Sequence, residues 1–402
     1  MRYRTPREAP RRVLLPAPGF IINHTRTSSP AHGSASAPII QPKEPRPPIV
    51  LHVGVTGDRP GGIAQVINGY KSWTSVNLSI RSAGSTAGHG PLSDALHWSK
   101  CCLYLIAARL ARKPFAAIFH MSQGGSFLRE GSLLILGNAL GLPVAAHLHG
   151  SRFIEFQKKY PTLVRAVAQR ANCVFVLTTE SARAIRRLTA TEQRVHVVLV
   201  RNAVQVPAHV AEKERTVVFA GEVGLRKGST VLLAAWKTLA HQFPDWTLKI
   251  AGPIADGSGM ARVLSETKSV QYLGVLPRSS VLEIESHASI SVLPSRNEAL
   301  PLFLLESMAR QCAVISTPVG EIAELLEPDA GIIVPVDDVA ALSAALRRLM
   351  EDDQFRHKIA AAARERILER FSEDVVAPQL MRYWVRLLDC QKSRHREVEN
   401  ND

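Results

Sequence analysis

Two glutamates lie in a largely apolar stretch of this 402-residue chain. Glu298 and Glu306 are separated by ALPLFLL, and leucines and a methionine surround Glu306. A carboxylate in an apolar helix is costly unless hydrogen-bond donors reach it. Glu306 is therefore predicted to have a polar partner, which is either a bound ligand or a lysine side chain.

The residues between the two glutamates predict an anion site. Pro301 favours the first position of a helix, which leaves the backbone N–H groups of Leu302 and Phe303 unpaired and able to bind an anion. Glu298 would lie just before this helix, at the carboxyl end of the strand SISVLP. A diphosphate on the helix start, a sugar beside Glu298 and a ribose diol against Glu306 would satisfy these groups. A solvated Glu298 and a lysine-paired Glu306 fit the residue types equally well.

Short β-branched runs alternate with helical stretches from residue 49 onward, beginning with PPIVLHVGVT, GGIAQVINGYKSW and SVNLSIRS. This alternation predicts a parallel sheet with helices on both faces. The pattern breaks into a polar linker and restarts at TVVFAGE, which predicts two Rossmann-like α/β domains facing each other across a cleft. The predicted boundaries are a disordered basic tail rich in Pro and Ser at 1–47, a first domain at 48–203, a linker at 204–215, a second domain at 216–370, a helix at 371–390 that packs back toward the first domain, and a polar tail at 391–402.

Composition and missing motifs exclude several function classes. Five cysteines form no C-x-x-C pair and no cluster with histidine, so we expect neither a disulfide framework nor a metal site. No run of eighteen apolar residues predicts a membrane-spanning helix. The net charge is +14, of which residues 1–47 hold +6, and this tail-weighted excess without interleaved aromatics argues against nucleic-acid binding. The chain has no G-x-G-x-x-G after its first strand and no D-x-D.

The spacing of Glu298 and Glu306, with SMARQCAVISTPVGEIAELL after them, closely resembles the E-x-seven-E signature of retaining glycosyltransferases of family 4, which have the GT-B fold. GGIAQVI resembles the glycine-rich turn after that family's first strand, and FAGEVGLRKGSTVLLAAW resembles the opening of its donor domain. HMSQGGSFLREGSLLILGNALGLPVAAHLHGSRF is similar to the members that build bacterial exopolysaccharides. The resemblance covers about residues 49–390 and implies a first, acceptor-side domain and a second, donor-binding domain.

The resemblance implies three catalytic residues. Glu298 would contact the transferred sugar, and Lys227 would neutralise the diphosphate leaving group. His149 lies in AHLHG at the carboxyl end of a predicted strand, and it matches a histidine that touches the donor sugar near the reacting centre. Without the resemblance, a lone histidine would be read as a core or surface residue.

The resemblance also implies binding residues. Glu306 would accept hydrogen bonds from the donor's ribose, and a glycine pair after the first strand would let the backbone approach the donor phosphate. The base would be held by backbone groups near YLGVLP. The predicted donor-binding residues are Gly61, Gly62, Arg226, Lys227, Leu302, Phe303, Glu306, Gly274 and Val275. The weaker acceptor candidates are His120, Ser122 and Ser126.

Three positions depart from the family pattern. Glu222 stands where an arginine commonly aids the diphosphate, so Arg226 or backbone amides would have to replace that cation. Glu321 stands where a glycine is common. Pro301 replaces a glycine, as in other polysaccharide enzymes.

The implied reaction is transfer of a sugar from a nucleotide-diphosphate donor, a UDP- or GDP-sugar, to a saccharide or lipid-linked saccharide, with retention and without metal or cofactor. The alternatives are a GT-B-fold sugar-nucleotide epimerase and a non-catalytic nucleotide-sugar binder. The expected location is the cytoplasm. HWSKCCLYLIAARLARKPF predicts a basic amphipathic helix that would lie on the anionic inner face of the plasma membrane, although it is equally typical of an ordinary outer helix.

Overall fold

The computed structural model describes residues 47–57, 61–73, 78–88, 90–111, 113–190, 195–255 and 259–399, with backbone only for 390–399. The basic tail predicted over 1–47 lies outside the described residues, apart from Pro47. Two six-stranded sheets form the frame, in the orders β2-β1-β3-β4-β5-β6 and β12-β11-β10-β7-β8-β9. Every pair of neighbouring strands is parallel. The predicted pair of Rossmann-like sheets is therefore confirmed.

The first sheet and its helices span residues 49–199. Its central strands read as continuous apolar runs because helices cover both faces, and every residue of β3 and β4 is buried. The strands are β1 Ile49–Gly54, β2 Ser79–Gly84, β3 Phe115–Met121, β4 Val144–Leu148, β5 Cys173–Val176 and β6 His196–Leu199. The helices are α1 Gly62–Lys71, α2 Pro91–Leu110, α3 Gly125–Ala139, α4 Phe153–Lys159, α5 Pro161–Ala168 and α6 Thr179–Leu188.

The second sheet repeats this design, and its central strand β10 is buried throughout. The strands are β7 Glu214–Ala220, β8 Thr247–Ala251, β9 Val270–Tyr272, β10 Ala288–Leu293, β11 Ala313–Ser316 and β12 Ile332–Ile333. The helices are α7 Ser229–Leu239, α8 Met260–Glu266, α9 Arg278–His287, α10 Leu302–Ala309, α11 Ile322–Leu326, α12 Val339–Glu351 and α13 Asp353–Arg370. The sequence analysis did not identify the two-residue strand β12.

The last helix, α14 Glu373–Glu399, returns to the first sheet. Trp384 on α14 packs against three rings of that half: its ring centroid lies 4.9 Å from His52, 5.3 Å from Tyr70 and 5.7 Å from Trp73. The helix continues to Glu399, through most of the segment predicted as a polar tail. None of the helices among the described residues is both long and apolar enough to cross a membrane.

The chain passes between the two halves twice, and the two passages are hydrogen-bonded to each other. The Val204 N–H donates to the carbonyl of Phe371 at 2.9 Å, and the Glu373 N–H donates to the carbonyl of Val204 at 3.2 Å. Val204 and Ser372 form an isolated parallel bridge. The connection after β6 and the start of α14 are thereby fixed at one point.

Trp384→Ala is expected to lower the free energy of unfolding by about 3–5 kcal/mol, because the ring is 1% exposed and its removal leaves a cavity. Val385→Ala, one residue along the helix and 41% exposed, serves as the control and should change stability by about 0.5 kcal/mol or less. Urea denaturation measures both. Similar losses in the two variants would contradict the packing described for α14.

Candidate functional site

Each sheet has one point at which the strand order reverses, between β1 and β3 in the first and between β7 and β10 in the second. Ligands of doubly wound sheets bind outside the carboxyl ends of the strands at such points. His120 is the penultimate residue of β3, and His149 follows the adjacent β4. Lys227 follows β7, and Glu298 follows β10. The residues predicted to be catalytic therefore lie at or beside both reversal points.

Two hydrogen bonds show that the carboxyl ends of the sheets meet. The Thr179 N–H, just after β5, donates to Glu321 Oε1 at 2.6 Å, and Glu321 follows β11. The Asn202 side-chain amide, after β6, donates to the carbonyl of Leu300, after β10, at 2.9 Å. Glu321, which stands where the sequence resemblance led us to expect a glycine, accepts a hydrogen bond from the start of α6. Partial burial raises its pKa.

Lys227 and Glu298 form an ion pair, with 2.5 Å between Lys227 Nζ and Glu298 Oε1. Ser295 Oγ donates to the same carboxylate oxygen at 2.7 Å, and Glu298 is 9% exposed. Gly228 permits this approach, since it has a φ of +72° and an added Cβ would lie 1.9 Å from the carbonyl oxygen of Pro294. Only a glycine lets the loop after β7 come this close to the loop after β10.

Arg226, the neighbour of Lys227, contacts a different carboxylate. Its Nε lies 3.3 Å from Glu222 Oε1, and both side chains are about two-fifths exposed. Glu222 therefore neutralises the arginine that the sequence analysis offered as a second cation for a diphosphate. Lys227 is the more buried of the two cations, with its side chain 17% exposed.

Glu306 is 4% exposed, and its partner is an arginine. Arg278 donates through Nε at 2.9 Å and through Nη2 at 2.5 Å, both to Oε1. The predicted alternative of a lysine partner is thus wrong in residue type, because Arg278, at the first position of α9, reaches the carboxylate on α10. Among the described residues, no hydrogen bond reaches Glu306 Oε2. Burial raises the pKa of Glu306, and Arg278 opposes that shift.

A third carboxyl group lies behind this pair. Glu285 on α9 is fully buried, and neither of its side-chain oxygens has a hydrogen-bond partner among the described residues. Burial raises its pKa well above the ordinary value, and the nearby charge of Glu306 adds to the shift. Burial therefore favours the protonated form of Glu285, while Glu306 keeps its pairing with Arg278.

The histidines form a connected cluster on the first sheet. His52 Nδ1 lies 2.8 Å from His120 Nε2, and His120 Nδ1 lies 2.9 Å from His149 Nε2. The ring of His147 lies 4.0 Å from that of His149. Burial lowers the pKa of all four, that of His52 to about 3, so the rings are neutral near pH 7. His149 alone keeps part of its surface exposed.

The residues predicted to bind the acceptor differ in how exposed they are. His120 is fully buried, so its predicted contact with an acceptor has no support in this structure, where it packs beneath His149. Ser126 Oγ accepts from the Ser122 N–H at 3.1 Å and donates to Glu130 Oε2 at 2.9 Å. These bonds fix the start of α3, and both serines stay partly exposed. A role for either in acceptor binding stays a prediction.

The remaining predicted donor residues line the loops at the carboxyl ends of the strands. Gly61 has a φ of +138° and precedes Gly62, the first residue of α1, and a Cβ on either would meet no atom within 4 Å. Val275 is 57% exposed. Gly274 has a φ of +68°, and its carbonyl accepts from the backbone N–H of Gly252 at 2.7 Å. The start of α10 consists of Leu302, which is buried, and Phe303, which packs against the core.

Sequence reasoning missed four residues of this site: His52, Arg278, Glu285 and Ser295. A histidine inside the apolar strand IVLHVG was an available signal for His52. Arg278 and Glu285 gave none, because 28 and 21 positions separate them from Glu306 and only the packing of α9 on α10 brings them together.

The second half of the chain has the clearest similarity to known proteins. Residues 201–366 match the family model described as Glycosyl transferases group 1. The chain is 33% identical over 173 residues to the phosphatidyl-myo-inositol mannosyltransferase of Mycolicibacterium smegmatis, covering 42% of this chain and 45% of that protein. It is 24% identical over 322 residues to the alpha-D-kanosaminyltransferase of Streptomyces kanamyceticus, covering 70% of this chain and 81% of that protein. The chain spans less than half the length of the mannosyltransferase.

Solved structures share the whole architecture. Sucrose-phosphate synthase from Thermosynechococcus elongatus superposes with a TM-score of 0.62 at 17% identity, covering 85% of this chain and 100% of that one. Anabaena Alr3699/HepE in complex with UDP-glucose superposes with a TM-score of 0.61 at 15% identity, covering 84% and 99%. At these identities the likeness shows the fold, which is GT-B.

Glu285→Gln is expected to stabilise the protein at neutral pH. The pKa of Glu285 is raised in the folded protein. The contribution of its protonated form to the free energy of unfolding is therefore fully present below about pH 4.5, and it is lost as pH rises toward the folded-state pKa. The loss is about 1.4 kcal/mol per pH unit in that window. Glutamine has no such dependence, so the gain over the wild type should be larger at about pH 7 than at about pH 5.

Urea denaturation at the two pH values measures this difference. Glu283→Gln on the same helix, where the side chain is 74% exposed, is the matched control and should show little pH-dependent gain. A Glu285→Gln gain that does not change with pH would show that Glu285 is ionised in the folded protein.

Proposed function

We propose that this protein is a glycosyltransferase that moves a sugar from a nucleotide-diphosphate donor to a hydroxyl group. The observation that carries the proposal is the buried pair of Lys227 and Glu298 beside the start of α10, at the reversal point of the second sheet. This arrangement offers a diphosphate a cation and the backbone N–H groups at the start of α10, which no side chain of the described residues caps, with a carboxylate beside it for a sugar. It lies within the segment that matches Glycosyl transferases group 1.

The diphosphate binds between Lys227 and the N–H groups at the start of α10, contributed by Leu302 and Phe303. The Lys227 ammonium now pairs with Glu298, and a diphosphate adds a second negative partner on its exposed side. Negative charge that develops on the leaving diphosphate is then met by a cation already held in place. Glu298, oriented by Ser295, is left to accept hydrogen bonds from hydroxyls of the transferred sugar.

Glu306 binds the ribose through the oxygen that Arg278 leaves free. Both arginine bonds go to Oε1, so Oε2 can accept from the ribose diol without loss of the ion pair. Arg278 is about one-third exposed and follows the YLGVLP loop that we assign to the base. A UDP- or GDP-sugar fits these groups, and the solved complex of Alr3699/HepE holds UDP-glucose.

His149 supports a retaining reaction from the first sheet. The neutral ring stands at the carboxyl end of β4 with part of its surface open, where it can hydrogen-bond to the donor sugar. The acceptor hydroxyl attacks on the face from which the diphosphate departs, and a diphosphate oxygen takes its proton. Such a reaction depends mainly on orientation and fixed charges and needs no metal. Contact between the carboxyl ends of the sheets excludes water from the donor.

Lys227→Met is expected to lower donor turnover by about 10²- to 10³-fold, because the variant removes a preorganised cation from the leaving group. Glu298→Ala and Glu306→Ala should each lower turnover as well. Lys237→Met, an exposed lysine on α7, is the matched control and should leave turnover unchanged. A panel of UDP- and GDP-sugars assayed for released nucleotide, with NMR of the product's anomeric configuration, measures the effects. Full turnover in both glutamate variants would refute the site.

The acceptor is a saccharide or lipid-linked saccharide in cell-surface or exopolysaccharide synthesis. Helix α2 supports the lipid-linked form, because it exposes apolar side chains in a stripe spaced by four, seven, three and four residues. Exposed basic residues border this stripe, and a basic amphipathic face suits an anionic membrane surface. The stripe is Leu92, Leu96, Leu103, Ile106 and Leu110, and the described basic residues beside it are Lys100, Arg109 and Lys113.

The double variant Leu103→Asp/Leu110→Asp is expected to lose binding to vesicles that contain anionic lipid, because two carboxylates then face the anionic surface. The wild type should sediment with such vesicles at low salt, and less at high salt, where the charges are screened. Leu368→Asp, at a 47% exposed position of α13, is the control. Wild-type protein that stays in the supernatant at low salt would refute the membrane surface, while leaving donor turnover untouched.

A further inference from the structure

Three histidines at the carboxyl edge of the first sheet offer nitrogen ligands to one point. One ring nitrogen from each of His120, His147 and His149 lies within 4.8 Å of the other two. His147 Nε2 is buried and has no hydrogen-bond partner among the described residues. A buried nitrogen lone pair or N–H without a partner is unusual in a folded protein, so this atom points to a missing ligand.

The sheet itself brings these rings together. His120 on β3 is the register partner of His147 on β4, so their Cα atoms are direct neighbours across the parallel pair. His149 is two residues beyond His147 and shares its side of the chain. The three rings therefore rest on two adjacent strands at the centre of the sheet, which is a rigid place for a coordination site.

His52 supplies the outer support that metal-binding histidines usually have. Its Nδ1 lies 2.8 Å from His120 Nε2. If His120 carries its proton on Nε2 and donates it to His52, the lone pair of His120 Nδ1 is directed into the cluster, toward His149 Nε2 at 2.9 Å. Such a hydrogen bond from the second ring nitrogen fixes the tautomer and the orientation of a ligating imidazole.

We infer that His120, His147 and His149 bind one divalent transition-metal ion of the class that prefers imidazole, such as Zn²⁺, Co²⁺, Ni²⁺ or Cu²⁺. A tetrahedral site with metal–nitrogen distances of about 2.0–2.1 Å needs nitrogens about 3.4 Å apart. The 2.9 Å between His120 Nδ1 and His149 Nε2 would have to widen, and a separation near the 4.8 Å limit of the cluster would have to shorten. Mg²⁺ and Ca²⁺ are excluded as occupants because they require oxygen ligands. No metal site was expected from the sequence, and this inference departs from that expectation.

A metal ion at this cluster would also affect the proposed reaction, because His149 would then contact both the ion and the donor sugar. An ion on His149 Nε2 holds the ring in one orientation and places positive charge beside the donor sugar. The metal binding itself does not rest on the proposed function, and it is measured without any substrate.

The test is metal content and visible spectroscopy of the full chain, purified without a polyhistidine tag. After incubation with Co²⁺ or Zn²⁺ and removal of the excess, the wild type should retain about one ion per chain, and the Co²⁺ form should show d–d absorption bands. His147→Ala should lose the bands and at least tenfold in affinity. His241→Ala, which removes an exposed histidine, should retain both. Equal retention by His147→Ala would overturn the assignment.

Because His147 is buried, circular dichroism and thermal unfolding must show that the variant is folded. His120→Gln is the second variant and should also lose the ion. Anomalous scattering from Zn²⁺-soaked crystals of the wild type needs no variant at all. A peak among the three rings supports the inference, and a peak only at surface histidines, or no retained ion, overturns it.

Discussion

The approach of the loop after β7 to the loop after β10 is the contact on which the candidate site depends. Gly228 meets the carbonyl of Pro294 at a distance that no side chain would permit. That contact places Lys227 against Glu298, a few residues before the start of α10. The reversal of strand order between β7 and β10 leaves a crevice at this end of the sheet. Gly228 determines how closely the two loops on either side of the crevice approach each other.

Buried charge in the second half is arranged so that each ionised group has a partner. Glu298 pairs with Lys227, and Glu306 pairs with Arg278, whereas burial raises the pKa of Glu285 and favours its protonated form. Pairs of this kind are weak evidence for stability, because desolvation offsets much of the Coulomb energy. They are better explained by function: each pair gives a buried carboxylate a cationic partner, and a ligand can then use the acceptor sites that the cation leaves open.

The fold and half of the site could be predicted from the sequence for a common reason. Strand–helix alternation is a local pattern, and Glu298, Glu306 and Lys227 lie in segments whose residue order is itself the signal. Arg278 shows the limit, because its contact with Glu306 depends on how α9 packs on α10, which no spacing encodes. The histidine cluster shows the same limit, since the pairing of β3 with β4 makes neighbours of His120 and His147. The two-residue strand β12 is too short to leave a periodicity.

The hydrogen-bonded crossing of the chain at Val204 has a mechanical consequence. Both passages between the sheets run through this point, so neither can bend independently of the other. We therefore expect any relative rotation of the halves to swing about this point, which would act as a double-stranded pivot. In such a rotation, the surfaces far from the pivot would move furthest. A small change in the backbone angles at residues 204 and 372 would therefore produce a large change in the width of the gap between the sheets.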